Sequence, residues 1–326
     1  MLRLYKGTPA GLERLEDAPP PVELPPDITW IDLYSPTPEE GAAVAGWLRI
    51  EIPTREEMQE IEVSSRLYEE DGILYMTFMS MVNADAEYPA TTDVAFILTN
   101  RALVTVRHAE PKWMTQFMQR CPKLGTGATK PVMVAVALLE AVIDRIADVL
   151  EKSSLDADAI SRSIFDRRGS RPISPDVLRE RVARISRVAV SAAKARESLV
   201  TISRVVSFLT AAGGEEKKSR ELKARLAAAD TDAEQLASYT GYLSDKTVFL
   251  LDATVSLINI EQNNIIKIFS IAATTLMPPT LIASVYGMNF RHMPELDVPW
   301  AYPTVLMAML VSAIIPYIIF RIKGWL

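Results

Sequence analysis

The sequence predicts an α+β membrane protein: an N-terminal cytosolic α/β domain, a stalk of long helices and two C-terminal transmembrane helices. Three observations carry this. Residues 268–285 and 300–320 are uncharged and apolar, each close to the roughly 20 residues that span a bilayer core. Up to Cys121, β-rich runs alternate with turn dipeptides. After Pro131, apolar residues recur with the helical period. The expected segments are an α/β domain (1–125), stalk helices (126–264), a first transmembrane helix (265–287), an extracytoplasmic loop (288–299), a second transmembrane helix (300–320) and a basic cytosolic tail (321–326).

Each element has a local cause. Residues 28–34 (ITWIDLY) read as a strand, and Thr37 as N-cap with Pro38 in the first turn opens a helix. Asp71-Gly72 and Asn100-Arg101 each separate two β-rich runs, the signature of hairpins. Helical periodicity covers 132–165 and 175–209, and Ala211-Ala212-Gly213-Gly214 breaks the second run. Thr231 and Glu234 form a capping-box pattern, predicting the start of a last helix. No breaker interrupts it before Leu276, so it passes into the first apolar segment. Residues 231–286 would extend about 85 Å, against roughly 30 Å of bilayer core. Most of that helix is expected to project from the membrane as a stalk. Pro278-Pro279 falls in the membrane part, where neighbouring groups can satisfy the freed carbonyls.

Composition excludes several functions. A net charge of −6 opposes a nucleic-acid partner, which needs a basic face to displace counterions. The run Lys217-Lys218-Ser219-Arg220 lies among acids and reads as a solvated helix face. Cys121 is the single cysteine and His108 and His292 the only histidines, so no Cys/His metal site or catalytic pair is legible. No phosphate-binding glycine loop or nucleophile elbow is present; an enzyme and a resident cofactor are not expected. The N-terminus lacks the apolar core of a signal peptide, so the body is expected in the cytosol.

Lys267 precedes the first apolar segment, and Arg321 and Lys323 follow the second. The positive-inside bias then puts both chain ends on the cytosolic side of the inner membrane, with Trp300, Tyr302 and Trp325 as interfacial anchors. In that orientation the first helix presents its C-terminal carbonyls, the negative end of its dipole, at the outer mouth.

Along the first segment, Asn263, Ile266, Ser270, Ala273, Met277, Thr280, Ser284 and Gly287 recur at steps of three and four. Such a small and polar stripe suits either close helix packing or the lining of a pore built by several copies. Val305, Leu306, Leu310, Ile314, Ile315, Ile318 and Ile319 give the second segment the character of a lipid-facing helix. Gly287-Met288-Asn289 at the tip reads as a helix stop or as an ion-binding turn. An asparagine amide oxygen can hydrogen-bond water held by a cation, and magnesium, which dehydrates reluctantly, suits such a neutral ring.

Tyr286-Gly287-Met288-Asn289-Phe290 followed by Met293-Pro294-Glu295-Leu296, between two C-terminal apolar segments and ahead of a basic tail, resembles the CorA family of divalent-cation channels. Residues 258–269 (INIEQNNIIKIF) and 277–281 (MPPTL) resemble its bacterial magnesium-transporting branch. The likeness is close over 252–326 and one of layout elsewhere. It implies a homopentamer with a cytosolic funnel that passes Mg²⁺ passively, with Co²⁺ and often Ni²⁺, Mg²⁺ being both substrate and regulatory ligand.

The same resemblance implies that Gly287 and Asn289 form the outer selectivity ring, with Met288 packing within the motif. Asn263 and Thr280 would present oxygens to the pore, and Ile266 and Met277 would constrict it by dewetting. Family position points to Phe269 at the next turn, whereas the stripe uses Ser270; Ser284 completes the stripe. Asp252 matches a position where cytosolic Mg²⁺ closes the channel, and is otherwise an exposed carboxylate on a long helix. Its partner acid would come from Glu69, Glu70, Asp71 or Asp93. Arg291 departs from the acid that relatives carry, leaving Glu295 and Asp297 to draw cations to the outer mouth. Two alternatives stand beside this reading. One is a proton-coupled zinc transporter of the same superfamily, which usually shares Gly-Met-Asn without Met-Pro-Glu-Leu. The other is a membrane-anchored helical scaffold or sensor.

Overall fold

The computed structural model describes residues 1–15, 21–60, 62–86, 88–166, 174–212, 219–289, 293 and 298–325. The chain divides into two compact units, Met1–Arg167 with Glu180–Leu251, and Arg168–Arg179 with Asp252–Leu326.

The first unit holds a seven-stranded sheet in the order β2-β1-β3-β7-β6-β5-β4. Its strands are β1 (Leu2–Gly7), β2 (Leu12–Arg14), β3 (Ile28–Tyr34), β4 (Leu67–Glu70), β5 (Ile73–Val82), β6 (Ala90–Leu98) and β7 (Leu103–Arg107). Among the described strands, only β3 and β7 pair in parallel. Both expected hairpins form, with register Glu70↔Ile73 and Leu98↔Leu103. Asp71 and Gly72 take φ values of 50° and 78°, the double positive φ of a type I′ turn. The strands β1 and β2 were not legible in the sequence. β1 exists because Leu4 and Tyr5 pair with Ile31 and Trp30 of β3, far away in the chain, and β2 because it pairs back onto β1.

Strand alternation splits the core into two layers. Ile31, Leu33, Ile97, Val104 and Val106 form one with Val44 of α1 (Pro38–Leu48) and Met58 of α2 (Arg55–Met58). A third short helix, α3 (Val63–Arg66), leads into β4. In the other layer Trp30 meets Phe117 of α4 (Lys112–Arg120) edge to face at 5.6 Å. Both buried indoles are satisfied: Trp30 Nε1 donates to Thr105 Oγ1 at 3.1 Å and Trp113 Nε1 to Ser80 Oγ at 2.6 Å. Asp32 and Arg107, both fully buried, form a bidentate pair at 3.0 and 2.9 Å. Each offsets the other's desolvation, so removing one partner would cost about 3–5 kcal/mol.

Three long helices continue the chain: α5 (Pro131–Phe165), α6 (Pro175–Ala211) and α7 (Arg220–Tyr286). The start of α5 is buried on all sides, from Pro131 to Leu139; from there the buried face narrows through Val142, Ile143, Ile146, Val149 and Leu150 to the single stripe Ser153, Ala157, Ile160 and Ile164. Glu140–Arg225, Ser154–Tyr239 and Asp158–Lys246 contacts set α5 and α7 parallel, while Arg181–Ser163 and Arg184–Asp156 set α6 antiparallel to α5. Helix α6 also closes the sheet edge. Beyond Met76, β5 has no β4 partner, and Met79 instead bonds Thr201 through its N–H and Ser198 through its carbonyl.

The expected start of the last helix at Thr231 is corrected: α7 begins at Arg220. Buried Leu226, Ala229, Ala233, Thr240, Leu243, Thr247 and Leu250 keep alternating steps of three and four, apart from half-buried Leu236, so the helix is packed across the proposed cap. Thr231 Oγ1 donates to Ala227 O at 2.8 Å, a mid-helix bond.

The second unit contains the rest of α7, and α8 (Ala301–Ile322) follows it. Both helices are long and apolar enough to cross a membrane. Helix α7 continues through Pro278 and Pro279 as expected, although neither ring nitrogen can donate to the preceding turn.

Candidate pore face and outer tip

Helix α7 closes at Tyr286 through a tightening turn. Gly287 N donates to Ala283 O at 2.9 Å, then Met288 N to Val285 O at 3.3 Å. Gly287 does not take the left-handed conformation common for a terminating glycine; the described glycines with positive φ are Gly11, Gly72, Gly125 and Gly324. Its contribution is space. A Cβ at Gly287 would lie 3.1 Å from the Ala283 carbonyl oxygen. Met288 and Asn289 follow, both exposed.

At about 100° per residue, Asn263, Ile266, Ser270, Met277, Thr280 and Ser284 share one side of α7, with Phe269 on its flank. All are exposed. The side covered within the chain is the opposite one, where Ile271 is buried and Thr275, Pro278, Pro279 and Ile282 are half-buried. Thr280 Oγ1 donates to Leu276 O at 2.7 Å, which commits its hydrogen to the helix and leaves its oxygen as an acceptor.

On α8 the half-covered residues are Ala301, Val305, Met309, Ser312, Ala313, Pro316 and Phe320. Leu306, Leu310, Ile314, Ile315, Ile318 and Ile319 are exposed as expected, whereas Val305 belongs to the covered side. Trp325, an interfacial anchor by its sequence position, also has partners within the chain. Its ring stacks on Phe320 at 5.4 Å and lies under Lys267 Nζ at 5.8 Å, a cation–π contact joining the basic end of the first span to the tail. No sequence period links positions so far apart.

The acids separate by environment. Asp252 is exposed on α7, and Glu69, Glu70 and Asp71 are exposed on the β4–β5 hairpin. Asp93 instead faces Arg66 Nη2 at 3.2 Å with its side chain 17% exposed, and burial pushes its carboxyl up against the pull of that guanidinium. Asp93 is thus engaged by Arg66 of α3. Among the described residues no three His, Cys, Asp or Glu side chains are grouped to hold a metal ion. Arg291, Glu295 and Asp297 lie outside the described residues.

An α/β sheet domain, long helices and two C-terminal apolar helices joined at a Gly-Met-Asn tip define a helical membrane-protein architecture. The family model described as CorA-like Mg2+ transporter protein matches residues 26–321, and the chain belongs to that family. It is 31% identical over 305 residues to the magnesium transport protein CorA of Salmonella typhimurium, covering 92% of each chain. To that of Escherichia coli K12 it is 31% identical over 301 residues, covering 91% of this chain and 92% of the relative. The complete structure of the CorA magnesium transporter from Methanocaldococcus jannaschii shares the fold, with a TM-score of 0.75 at 19% identity over 100% of this chain and 99% of that one.

Proposed function

We propose that the protein is a homopentameric magnesium channel of the inner membrane, with both termini cytosolic, that passes Mg²⁺, Co²⁺ and Ni²⁺ down their electrochemical gradient. The observation that carries this is the exposed small and polar face of α7, opposite the side that the chain covers. Two spans cannot enclose a pore, so that face requires further copies to line one. Close packing alone would explain small residues, but not an exposed row of Asn263, Thr280 and Ser284 oxygens leading to Asn289. The relatives named above are magnesium transport proteins, matched along nearly the whole chain.

In this reading Gly287, Met288 and Asn289 form the outer filter. Gly287 lets neighbouring backbones approach, and the Asn289 amide holds an ion through its water shell. Ile266, Phe269 and Met277 are the apolar constrictions. Glu295 and Asp297 act as the outer-mouth acids. Cytosolic Mg²⁺ bound by Asp252 of one copy and an exposed acid of the Glu69–Asp71 hairpin of the next closes the channel. The reading requires no resident cofactor and no enzymatic step.

Mg²⁺ influx into proteoliposomes, with Co²⁺, Ni²⁺ and Zn²⁺ as competitors, tests the proposal together with native mass measurement of the purified assembly. Saturable Mg²⁺ influx by a pentamer is the expected result. Zn²⁺ flux that needs a proton gradient, without Mg²⁺ flux, would overturn the ion assignment. A monomer or dimer would reduce the hairpin to an anchor.

A further inference from the structure

In the first unit, well away in sequence from the candidate pore, three cationic side chains from two helices converge on one carboxylate. Asp85 lies on the β5–β6 turn, just after Asn83 with φ 53°. Its Oδ2 accepts from Lys112 Nζ of α4 at 3.0 Å and from Arg145 Nη2 of α5 at 2.7 Å; its Oδ1 accepts from Lys152 Nζ of α5 at 3.1 Å. These bonds hold the Asp85 carboxyl well below the usual carboxylate range, the lysines contributing most.

The cations exceed what Asp85 can satisfy. Arg145 Nη1 also lies 3.9 Å from Asp148, but its Nε is buried with no hydrogen-bond partner among the described residues, and its side chain is 12% exposed. Arg184 and Arg187 of α6 line a cavity of about 260 Å³ beside Arg145 and Lys152, four cations against the three acids Asp85, Asp148 and Asp156 on the same wall. Arg184 is 3.7 Å from Asp156, while exposed Arg187 forms no ion pair among the described residues. A second cavity of about 430 Å³ adjoins this one, sharing Asp85 and Arg145 and walled by Met81, Trp113, Val142 and Ile146.

We infer that the paired cavities bind a phosphorylated small molecule with an aromatic or apolar body, a nucleoside phosphate being the class that fits. The phosphates lie between Arg145, Lys152, Arg184 and Arg187, and the body occupies the apolar cavity. Guanidinium forks match phosphate oxygens two at a time, and a pocket of this combined size is typical of small-ligand sites. Asp85 is the resident counter-ion. It sits on a turn while its partners sit on helices, so a more highly charged anion displaces it without disturbing the scaffold. This inference is independent of the proposed channel activity.

Calorimetric titration of the full-length protein in detergent, in Mg²⁺-free buffer, with ADP, pyrophosphate and adenosine tests it. ADP is expected to bind more tightly than either fragment. Asp85→Asn should tighten ADP by about tenfold by releasing its cations, and Arg187→Gln should weaken it by about tenfold with an unchanged melting curve. Absence of ADP and pyrophosphate binding in both wild type and Asp85→Asn overturns the site. So does an Arg187→Gln variant with wild-type ADP affinity. Equal affinities for pyrophosphate and ADP would overturn the role of the apolar cavity.

Discussion

An amide oxygen can hold a hydrated cation only where water reaches it, and Asn289 lies exposed beyond the last turn of α7. Asn289→Ala is expected to reduce Mg²⁺ influx into proteoliposomes to the protein-free background while leaving the assembly mass and helical content unchanged. Wild-type flux in that variant would remove Asn289 from the filter. Cys121 makes an opposite prediction. Its buried thiol is pushed up to about 11, so at neutral pH almost none is thiolate. Maleimide labelling of the native protein should therefore be slow near pH 7 and become fast only on denaturation; rapid native labelling would contradict the burial. The sequence already favoured an inert cysteine, because no partner thiol or nearby histidine could be found for it. It could not rank the acids around Asp252. That required seeing Arg66 engage Asp93 while Glu69, Glu70 and Asp71 stayed exposed.

Two threonines with the same apparent capping signal behave differently as parts of elements. Thr37 accepts from Glu40 N at 3.2 Å, and Glu40 accepts in return from Thr37 N at 2.9 Å, a complete capping box at the start of α1. Thr231 is mid-helix. Thr37→Ala should cost about 1 kcal/mol. Thr231→Ala should stay within about 0.5 kcal/mol, as for an exposed substitution that breaks no cap. Denaturation of the purified full-length chain, followed by circular dichroism, distinguishes the two; equal losses would restore the cap at Thr231. The cause is that a capping motif is local, whereas helix termination also depends on whether the preceding turns find a surface to bury. Leu226 and Ala229 found one.

At the scale of the whole molecule, a passive channel needs no fuel. Moving a divalent ion inward gains roughly 4.6 kcal/mol per 100 mV of inside-negative potential, two charges at about 2.3 kcal/mol each. Mg²⁺ influx should therefore rise when a potassium diffusion potential is imposed on proteoliposomes, and should be indifferent to ATP and to a pH gradient. Flux that ignored potential and followed the pH gradient would favour the zinc-transporting alternative. Asp252→Asn is expected to raise the internal Mg²⁺ needed to halt that flux without changing the initial rate. An unchanged closing concentration would return Asp252 to an ordinary surface carboxylate.

The sequence by itself determined what is local or periodic: the two apolar spans, the Asp71-Gly72 turn, the Thr37 cap, the helical stretches and the Gly-Met-Asn tip. Each is written within one or two turns of chain, so no distant partner is needed to read it. Tertiary structure alone decided which side of α7 is left uncovered, where α7 begins, that β1 and β2 join the sheet, and that Lys267 meets Trp325. It also brought Lys112, Arg145 and Lys152 onto Asp85. Those outcomes depend on which surfaces meet, and chain proximity does not encode that.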